Sequence, residues 1–205
     1  MDIFELDVLR EISTIAAGYG STALLQLLGK KIHVSLPTVA SLEAEEFVKT
    51  AKAQGPQQMV SMQCDITSGL EGRVIIMLDE TSALKLVNIC YPNQIEIQQQ
   101  GLASELSQSI LKEVGDIVVG SYVKALTLFL DSTITSSIPT VLRGPQDQLV
   151  KAAVTSGEKL FVVIIDTVFE ERKEKIKGRM GFILTQKDKN MISTNCRKKL
   201  DDLEK

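Results

Sequence analysis

The sequence has 205 residues, of which 44% are hydrophobic and 24% are charged, and 23 basic against 26 acidic side chains give a net charge of −3. This composition supplies a globular core, excludes an intrinsically disordered chain and lacks the basic excess typical of nucleic-acid-binding proteins. The longest apolar run, residues 160–165, is much shorter than the roughly 20 residues that cross a bilayer. The acidic N-terminus does not resemble a signal peptide, so we expect a cytoplasmic protein.

The first half of the chain has the pattern of a long helix followed by short strands. Apolar residues at three- and four-residue steps predict a helix over Ile3 to Leu28, with Gly29 as its stop. The elements expected next are an extended segment over 32–36 that ends at Pro37, an acidic helix over 42–51, strands over 58–65 and 73–78, and a helix over 82–90. The polar segment 94–101 is the best candidate for a boundary.

The second half shows a similar order of elements. We expect a helix over 104–130, an extended segment over 134–138 that ends at Pro139, a strand over 160–169, a charged hairpin tip over 170–177, a returning strand over 179–184 and a closing helix over 188–203. Periodicity leaves 149–154 undecided.

An internal repeat explains this parallel order. Sliding the chain by 102 residues aligns 11–39 with 113–141, and 11 of the 29 aligned pairs are identical, where chance gives about two. We therefore expect an α/β (α+β) fold in which two repeats, about 1–93 and 102–205, form a single pseudo-twofold domain. Because each repeat has few strands, we predict one shared, mainly antiparallel sheet with the two long helices packed on it.

Three cysteines and one histidine do not form a known metal-binding or disulfide pattern. They are Cys64, Cys90, Cys196 and His33. We interpret the cysteines as reduced thiols that pack as small apolar side chains, although counting residues leaves a cysteine–histidine nucleophile pair open. The common nucleotide-binding and serine-hydrolase motifs are absent, and no cofactor or bound metal is expected.

Each long helix carries a polar stripe with the same spacing. The first stripe is Asp7, Glu11, Thr14 and Gly18, and the second stripe is Ser109, Glu113, Asp116 and Gly120. The spacing puts each set on one helix face between apolar positions, so both stripes should face solvent. An exposed helical glycine costs about 1 kcal/mol relative to alanine, which indicates either a closely approaching partner or close packing between the helices. A polar stripe by itself is most often only a solvated face.

The two stripes resemble the motif of the CheC-type chemotaxis phosphatases, a family that includes CheX and FliY. The family motif is Asp or Ser, then Glu four residues later, Asn three residues after that, and a proline after 22 more residues. The matching positions are Asp7, Glu11 and Pro37 in the first copy and Ser109, Glu113 and Pro139 in the second. Two motifs in one chain resemble CheC rather than single-motif CheX, and the further C-terminal domain of FliY is not expected.

This resemblance implies a phosphatase that acts on a phosphorylated, Mg²⁺-loaded response regulator of the CheY type. In the family, the glutamate pairs with the regulator's active-site lysine, and the asparagine amide orients a water for in-line attack on the aspartyl phosphate. The implied catalytic residues are Glu113, Asp116, Glu11 and Thr14, and the implied partner-docking residues are Asp7, Ser109, Gly18 and Gly120. The family's association with the receptor deamidase CheD implies a second partner.

The sequence departs from the family at the asparagine, which is Thr14 in one copy and Asp116 in the other. Threonine is shorter and lacks the amide donor, whereas aspartate keeps the reach of asparagine but is ionised. A carboxylate about 4 Å from a phosphoryl charge is repelled by about 1 kcal/mol in water and about 4 kcal/mol at an effective dielectric near 20. Because losing a positioning group costs about 100-fold in rate, we expect an enzyme with attenuated activity. Of the two sites, we expect the one with Glu113 and Asp116 to be the more active.

The sequence is also compatible with two functions other than an enzyme. A binding module would keep both docking glutamates and hold the phosphorylated regulator, or CheD, without hydrolysis. A structural duplicate would have an unnamed partner. Phosphate release separates the enzyme from the binding module, and phosphorylation-dependent binding separates the binding module from the structural duplicate.

Overall fold

The computed structural model describes residues 1–29, 31–35, 38–53, 57–154, 160–171 and 174–203. Its helices are α1 (Ile3–Leu28), α2 (Ala44–Ala53), α3 (Glu80–Cys90), α4 (Ile95–Gln100), a 3-10 turn (Gly101–Ala103), α5 (Glu105–Leu130), α6 (Gln146–Ala153) and α7 (Gln186–Leu203). Its strands are β1 (His33–Ser35), β2 (Val39–Glu43), β3 (Gln58–Ser68), β4 (Gly72–Asp79), β5 (Thr135–Ser136), β6 (Thr140–Pro145), β7 (Leu160–Glu171) and β8 (Glu174–Thr185).

These strands form one antiparallel sheet in the order β1-β7-β8-β4-β3-β5, with β2 also paired to β7 and β6 also paired to β3. Strands β4 and β8, from the two hairpins β3–β4 and β7–β8, pair with each other at the centre. The short strands β1 and β2 pair with the second hairpin, whereas β5 and β6 pair with the first. The predicted shared antiparallel sheet is confirmed, because each half completes the sheet of the other.

Side-chain alternation along the central strands divides the core between the two faces of the sheet. Val74 and Ile76 of β4 pack in the larger cluster, which contains the buried residues of α1 and α5. Ile75 packs in a second cluster with Phe47 of α2 and Val150 of α6. The long helices therefore cover one face of the sheet, as predicted, and the two short helices cover the other.

The contact between α1 and α5 is close and includes polar side chains. The buried Ser13 hydroxyl donates to the Leu9 carbonyl at 2.7 Å and hydrogen-bonds the Tyr122 hydroxyl at 3.2 Å. A Cβ atom at Gly20 would lie 3.4 Å from the Ser121 hydroxyl oxygen. Gly20 is therefore a glycine of α1 at which the two helices approach closely.

Several predicted boundaries are corrected by the structure. Segment 94–101 is not a polar linker, because it forms α4 and the start of the 3-10 turn, and Ile97 is buried in the main core. The charged segment 170–177 is mostly strand rather than hairpin tip, since β7 continues to Glu171 and β8 begins at Glu174. Most of the undecided segment 149–154 lies in α6. Pro37 lies outside the described residues, and the division into two repeats stays a prediction.

The cysteines are free and buried, as predicted for thiols that pack as apolar side chains. Burial, with Asp116 and then Asp65 nearby, raises the pKa of Cys64 to about 12. Burial, with Glu5 nearby, raises the pKa of Cys196 to about 12. Because the thiolate is the nucleophilic form, these two thiols are poor nucleophiles at neutral pH. His33 is exposed on the edge strand β1.

Neither a membrane span nor a metal cluster is found in the part of the chain that the structure describes. No helix there is both long enough and apolar enough to cross a bilayer. The described residues also contain no group of three or more His, Cys, Asp or Glu side chains arranged to hold a metal ion.

Candidate functional site

Both polar stripes lie on the outer faces of the long helices. All eight stripe residues are exposed, which confirms that the stripes face solvent. On α1, the face opposite the stripe buries Leu9, Ile12 and Ala16. On α5, the face opposite the stripe buries Val114 and Val118. The burial of these apolar faces fixes the direction in which the stripes point.

Each long helix has a capped N-terminus, five residues before its stripe begins. In α1, the Asp2 carboxylate accepts from the Glu5 backbone N–H and the Glu5 carboxylate accepts from the Asp2 N–H, both at 2.9 Å. In α5, the Ser104 hydroxyl oxygen accepts from the Ser107 backbone N–H at 3.0 Å. Such caps stabilise a helix by about 1 kcal/mol, so the stripes are displayed on well-formed helices.

Two side chains of the first stripe are engaged within α1. The Arg10 guanidinium donates to the Asp7 carboxylate, and both side chains are about half exposed. The Thr14 hydroxyl donates to the Arg10 carbonyl at 3.1 Å. Because a hydroxyl has a single proton to donate, Thr14 offers a water molecule only its oxygen lone pairs. The first stripe is therefore poorly suited to orient a water through a donated hydrogen bond.

The second stripe keeps its polar side chains available. Within the described ranges, Ser109, Glu113 and Asp116 make no side-chain hydrogen bond or ion pair. The Asp116 carboxylate lies close enough to Cys64 of β3 to raise the pKa of that thiol. Glu113 and Asp116 are three residues apart, which directs both side chains to the same side of α5. The three polar groups can therefore all turn to a molecule that docks on this face.

The proline of the second motif lies in the same region as Asp116. Pro139 is buried and directly precedes Thr140, which pairs with Gln63 of β3. Gln63 is the neighbour of Cys64, the thiol whose pKa is raised by burial and by the charge of Asp116. Sheet pairing therefore brings the proline and the polar stripe of the second motif together, although 22 residues separate them in the sequence.

The exposed glycines of the two stripes are not explained by helix packing. Among the residues that the structure describes, no heavy atom lies within 4 Å of a Cβ atom added at Gly18 or at Gly120. Close packing between the helices occurs instead at Gly20 and Ser121. Of the two explanations for Gly18 and Gly120, close packing is wrong, and the approach of an external molecule is the one that agrees with the open space.

Comparisons with known proteins agree with this arrangement. No protein-family model matches the chain. The CheY-P phosphatase CheC of Bacillus subtilis (strain 168) is 25% identical to it over 190 residues, which cover 90% of this chain and 89% of that protein. The comparisons therefore show that this chain is similar, over most of its length, to proteins of the CheC/CheX/FliY group.

Solved structures of similar proteins have the same fold as this chain. Thermotoga maritima FliY superimposes with a TM-score of 0.77 at 24% identity and covers 97% of this chain and 98% of its own. The chemotaxis protein CheX from Desulfovibrio desulfuricans superimposes with a TM-score of 0.51 at 14% identity, over 84% of this chain and 99% of its own. At these identities the two structures support the fold.

The sequence does not predict two features that lie beside the stripes. Phe4 and Ile15 of α1 are 62% and 46% exposed, three residues before Asp7 and four residues after Glu11, so they flank the first stripe. The Lys124 ammonium of α5 lies 4.4 Å from the ring centroid of Tyr19 in α1. Helical spacing alone could have placed these positions beside the stripes, but only the packing of α1 on α5 brings Tyr19 and Lys124 together.

Proposed function

We propose that this chain dephosphorylates a CheY-type response regulator through the stripe of α5. The observation that carries the proposal is the exposure of Glu113 and Asp116 on one face of α5, without intramolecular hydrogen bonds or ion pairs in the described part of the chain. The name of the B. subtilis relative supplies the substrate class, a phosphorylated CheY. The proposed catalytic residues are Glu113 and Asp116, with Ser109 and Gly120 in contact with the partner.

In the proposed mechanism the α5 stripe positions the reacting groups. Glu113 pairs with the active-site lysine of the regulator, which places Asp116, about 4.5 Å further along the helix axis, beside the aspartyl phosphate. The Asp116 carboxylate accepts a hydrogen bond from a water in line with the scissile bond. The water oxygen bonds to phosphorus as the phosphorus–oxygen bond to the aspartate breaks, which releases inorganic phosphate. Phosphoryl transfer needs positioning more than covalent help from the catalyst, so one exposed helix face suffices.

A binding module is the second candidate function, and Thr14 is the observation that favours it. Neither stripe has the amide of the family motif, and the Thr14 hydroxyl is engaged with the Arg10 carbonyl. In this alternative Glu11, with Asp7 and Gly18 beside it, and Glu113 hold the phosphorylated regulator without hydrolysing it. CheD as a partner stays a prediction that rests on the family resemblance alone.

The proposal is tested by following phosphate loss from a phosphorylated, Mg²⁺-loaded CheY-type regulator. We expect the native chain to accelerate the loss and Glu113→Ala to abolish the acceleration. Glu45→Ala, which changes an exposed glutamate of α2 on the other side of the sheet, is the matched control and should act like the native chain. Phosphorylation-dependent binding without acceleration would favour the binding module, and the absence of both would contradict both functions.

Gly120→Ala is expected to make the fold more stable while weakening the interaction with the regulator. Alanine replaces glycine in a helix with a gain of up to about 1 kcal/mol in the free energy of unfolding, and the space around Gly120 is open. The added methyl group would meet a partner that approaches the helix backbone. Urea denaturation and the affinity for the phosphorylated regulator measure the two effects.

The control for this substitution is another glycine of α5. A Cβ atom at Gly115 would lie 3.2 Å from the sulfur of the buried Met62, so Gly115→Ala should lower the stability instead of raising it. An unchanged affinity for the regulator in Gly120→Ala would contradict close contact at this glycine.

A further inference from the structure

We infer that Lys124 is a positioning residue of the α5 site, whose ammonium, held over Tyr19 of α1, contacts the acidic surface around the phosphorylated aspartate of the regulator. This inference rests on the proposed function, because it assigns a further contact to the same partner. It adds a residue outside the family motif and makes the first long helix part of the second site.

The position of Lys124 follows from helical geometry. Lys124 lies four residues after Gly120 and eight after Asp116, so it continues the stripe on the same side of α5, about 12 Å beyond Asp116 along the axis. Its side chain is exposed. The position that aligns with it in the first repeat is Thr22, whose hydroxyl donates to the Gly18 carbonyl at 2.9 Å. The cation therefore extends the α5 stripe and has no counterpart on the α1 stripe.

The contact with Tyr19 orients the ammonium. The Nζ atom lies 4.4 Å from the ring centroid, within the roughly 6 Å over which a cation is attracted to an aromatic face. Within the described residues, Lys124 forms no ion pair that would compete with a partner. A lysine side chain that is already held loses less conformational entropy when it binds. The ammonium is therefore displayed at the contact between α1 and α5 in one preferred place.

Charge explains why this cation matters at the site. The α5 stripe presents the carboxylates of Glu113 and Asp116, whereas a phosphorylated aspartate and the carboxylates that bind its Mg²⁺ make the partner surface acidic. Two surfaces of the same sign repel each other, and a cation of complementary charge offsets this and speeds association. The open space at Gly18 and Gly120 lets the partner approach closely enough to reach Lys124.

The test compares phosphate release by Lys124→Gln, Lys124→Glu and Tyr19→Leu with release by the native chain. The control is Lys151→Gln, which changes an exposed lysine of α6 on the other side of the sheet. We expect Lys124→Gln to lower kcat/KM by about three- to fivefold through a higher KM, with kcat unchanged. Lys124→Glu should lower kcat/KM further, and Tyr19→Leu should cause a smaller loss. The deficit of Lys124→Gln should shrink at about 0.5 M salt, where screening is strong.

The possible outcomes separate this inference from the proposed function. If the native chain is active and both Lys124 variants match Lys151→Gln, the inference is overturned and the proposed function stands. If the native chain does not hydrolyse phosphate, the same comparison uses its affinity for the regulator loaded with Mg²⁺ and beryllofluoride. A weaker affinity of Lys124→Glu then supports the inference, and an unchanged affinity overturns it. If the native chain does not bind this regulator, both are overturned. Thermal unfolding of each variant checks that the fold is kept.

Discussion

Asp116→Asn is expected to accelerate phosphate release from the regulator by about 100-fold. The substitution removes a negative charge beside the phosphoryl group and adds an amide that donates to and accepts from a water molecule. The size and reach of the side chain are nearly unchanged. In the described structure Asp116 forms no hydrogen bond or ion pair that the substitution would break, so no loss of stability should offset the gain. Single-turnover measurements of phosphate release, with the phosphorylated regulator saturated by each variant, give the rate.

Two further variants show whether the amide itself is responsible. Asp116→Ala also removes the charge but supplies no hydrogen-bonding group, so it should recover only the part of the rate that repulsion costs. Thr14→Asn places the amide on the first stripe and should have a smaller effect, because Arg10 binds the neighbouring Asp7 there. An Asp116→Asn variant no faster than the native chain would exclude this position as the one that orients the water.

Phe182→Ala is expected to lower the free energy of unfolding by about 3–5 kcal/mol. Phe182 of β8 is 2% exposed and pairs with Val74 of β4 on one side and Val163 of β7 on the other. Its ring contacts that of Tyr122 in α5, with centroids 4.6 Å apart. Removing the ring would leave a cavity between α5 and the centre of the sheet. Because β8 is paired on both sides, the surrounding residues have little freedom to move into this cavity. Urea denaturation measures the loss.

The matched control is a phenylalanine on the surface of α1. Phe4 is 62% exposed, so Phe4→Ala should change the free energy of unfolding by about 0.5 kcal/mol or less. Equal losses from the two substitutions would contradict the central role assigned to the contact between Phe182 and Tyr122.

The elements that sequence reasoning predicted well are those with local signals. α1 has the predicted limits, Ile3 and Leu28, because the apolar spacing and the Gly29 stop signal lie within one stretch of chain. Strands β2 and β6 were missed because they are short and are stabilised by pairing with β7 and β3, far away in the sequence. The polar composition of segment 94–101 predicts a linker, whereas the structure has helix α4 there, which is anchored in the core by Ile97.

The sequence by itself determined the two long helices, the face of each that carries the polar stripe, and the family to which those stripes point. These properties follow from helical periodicity and motif spacing, which operate over a few turns of one helix. Only the tertiary structure decided that each half completes the sheet of the other, and that no neighbouring element of the described structure hydrogen-bonds or pairs with the Asp116 carboxylate. Only tertiary structure, likewise, places Tyr19 beneath Lys124. The physical reason is that strand pairing and side-chain hydrogen bonding depend on which atoms meet in space, and no local pattern in the sequence specifies those neighbours.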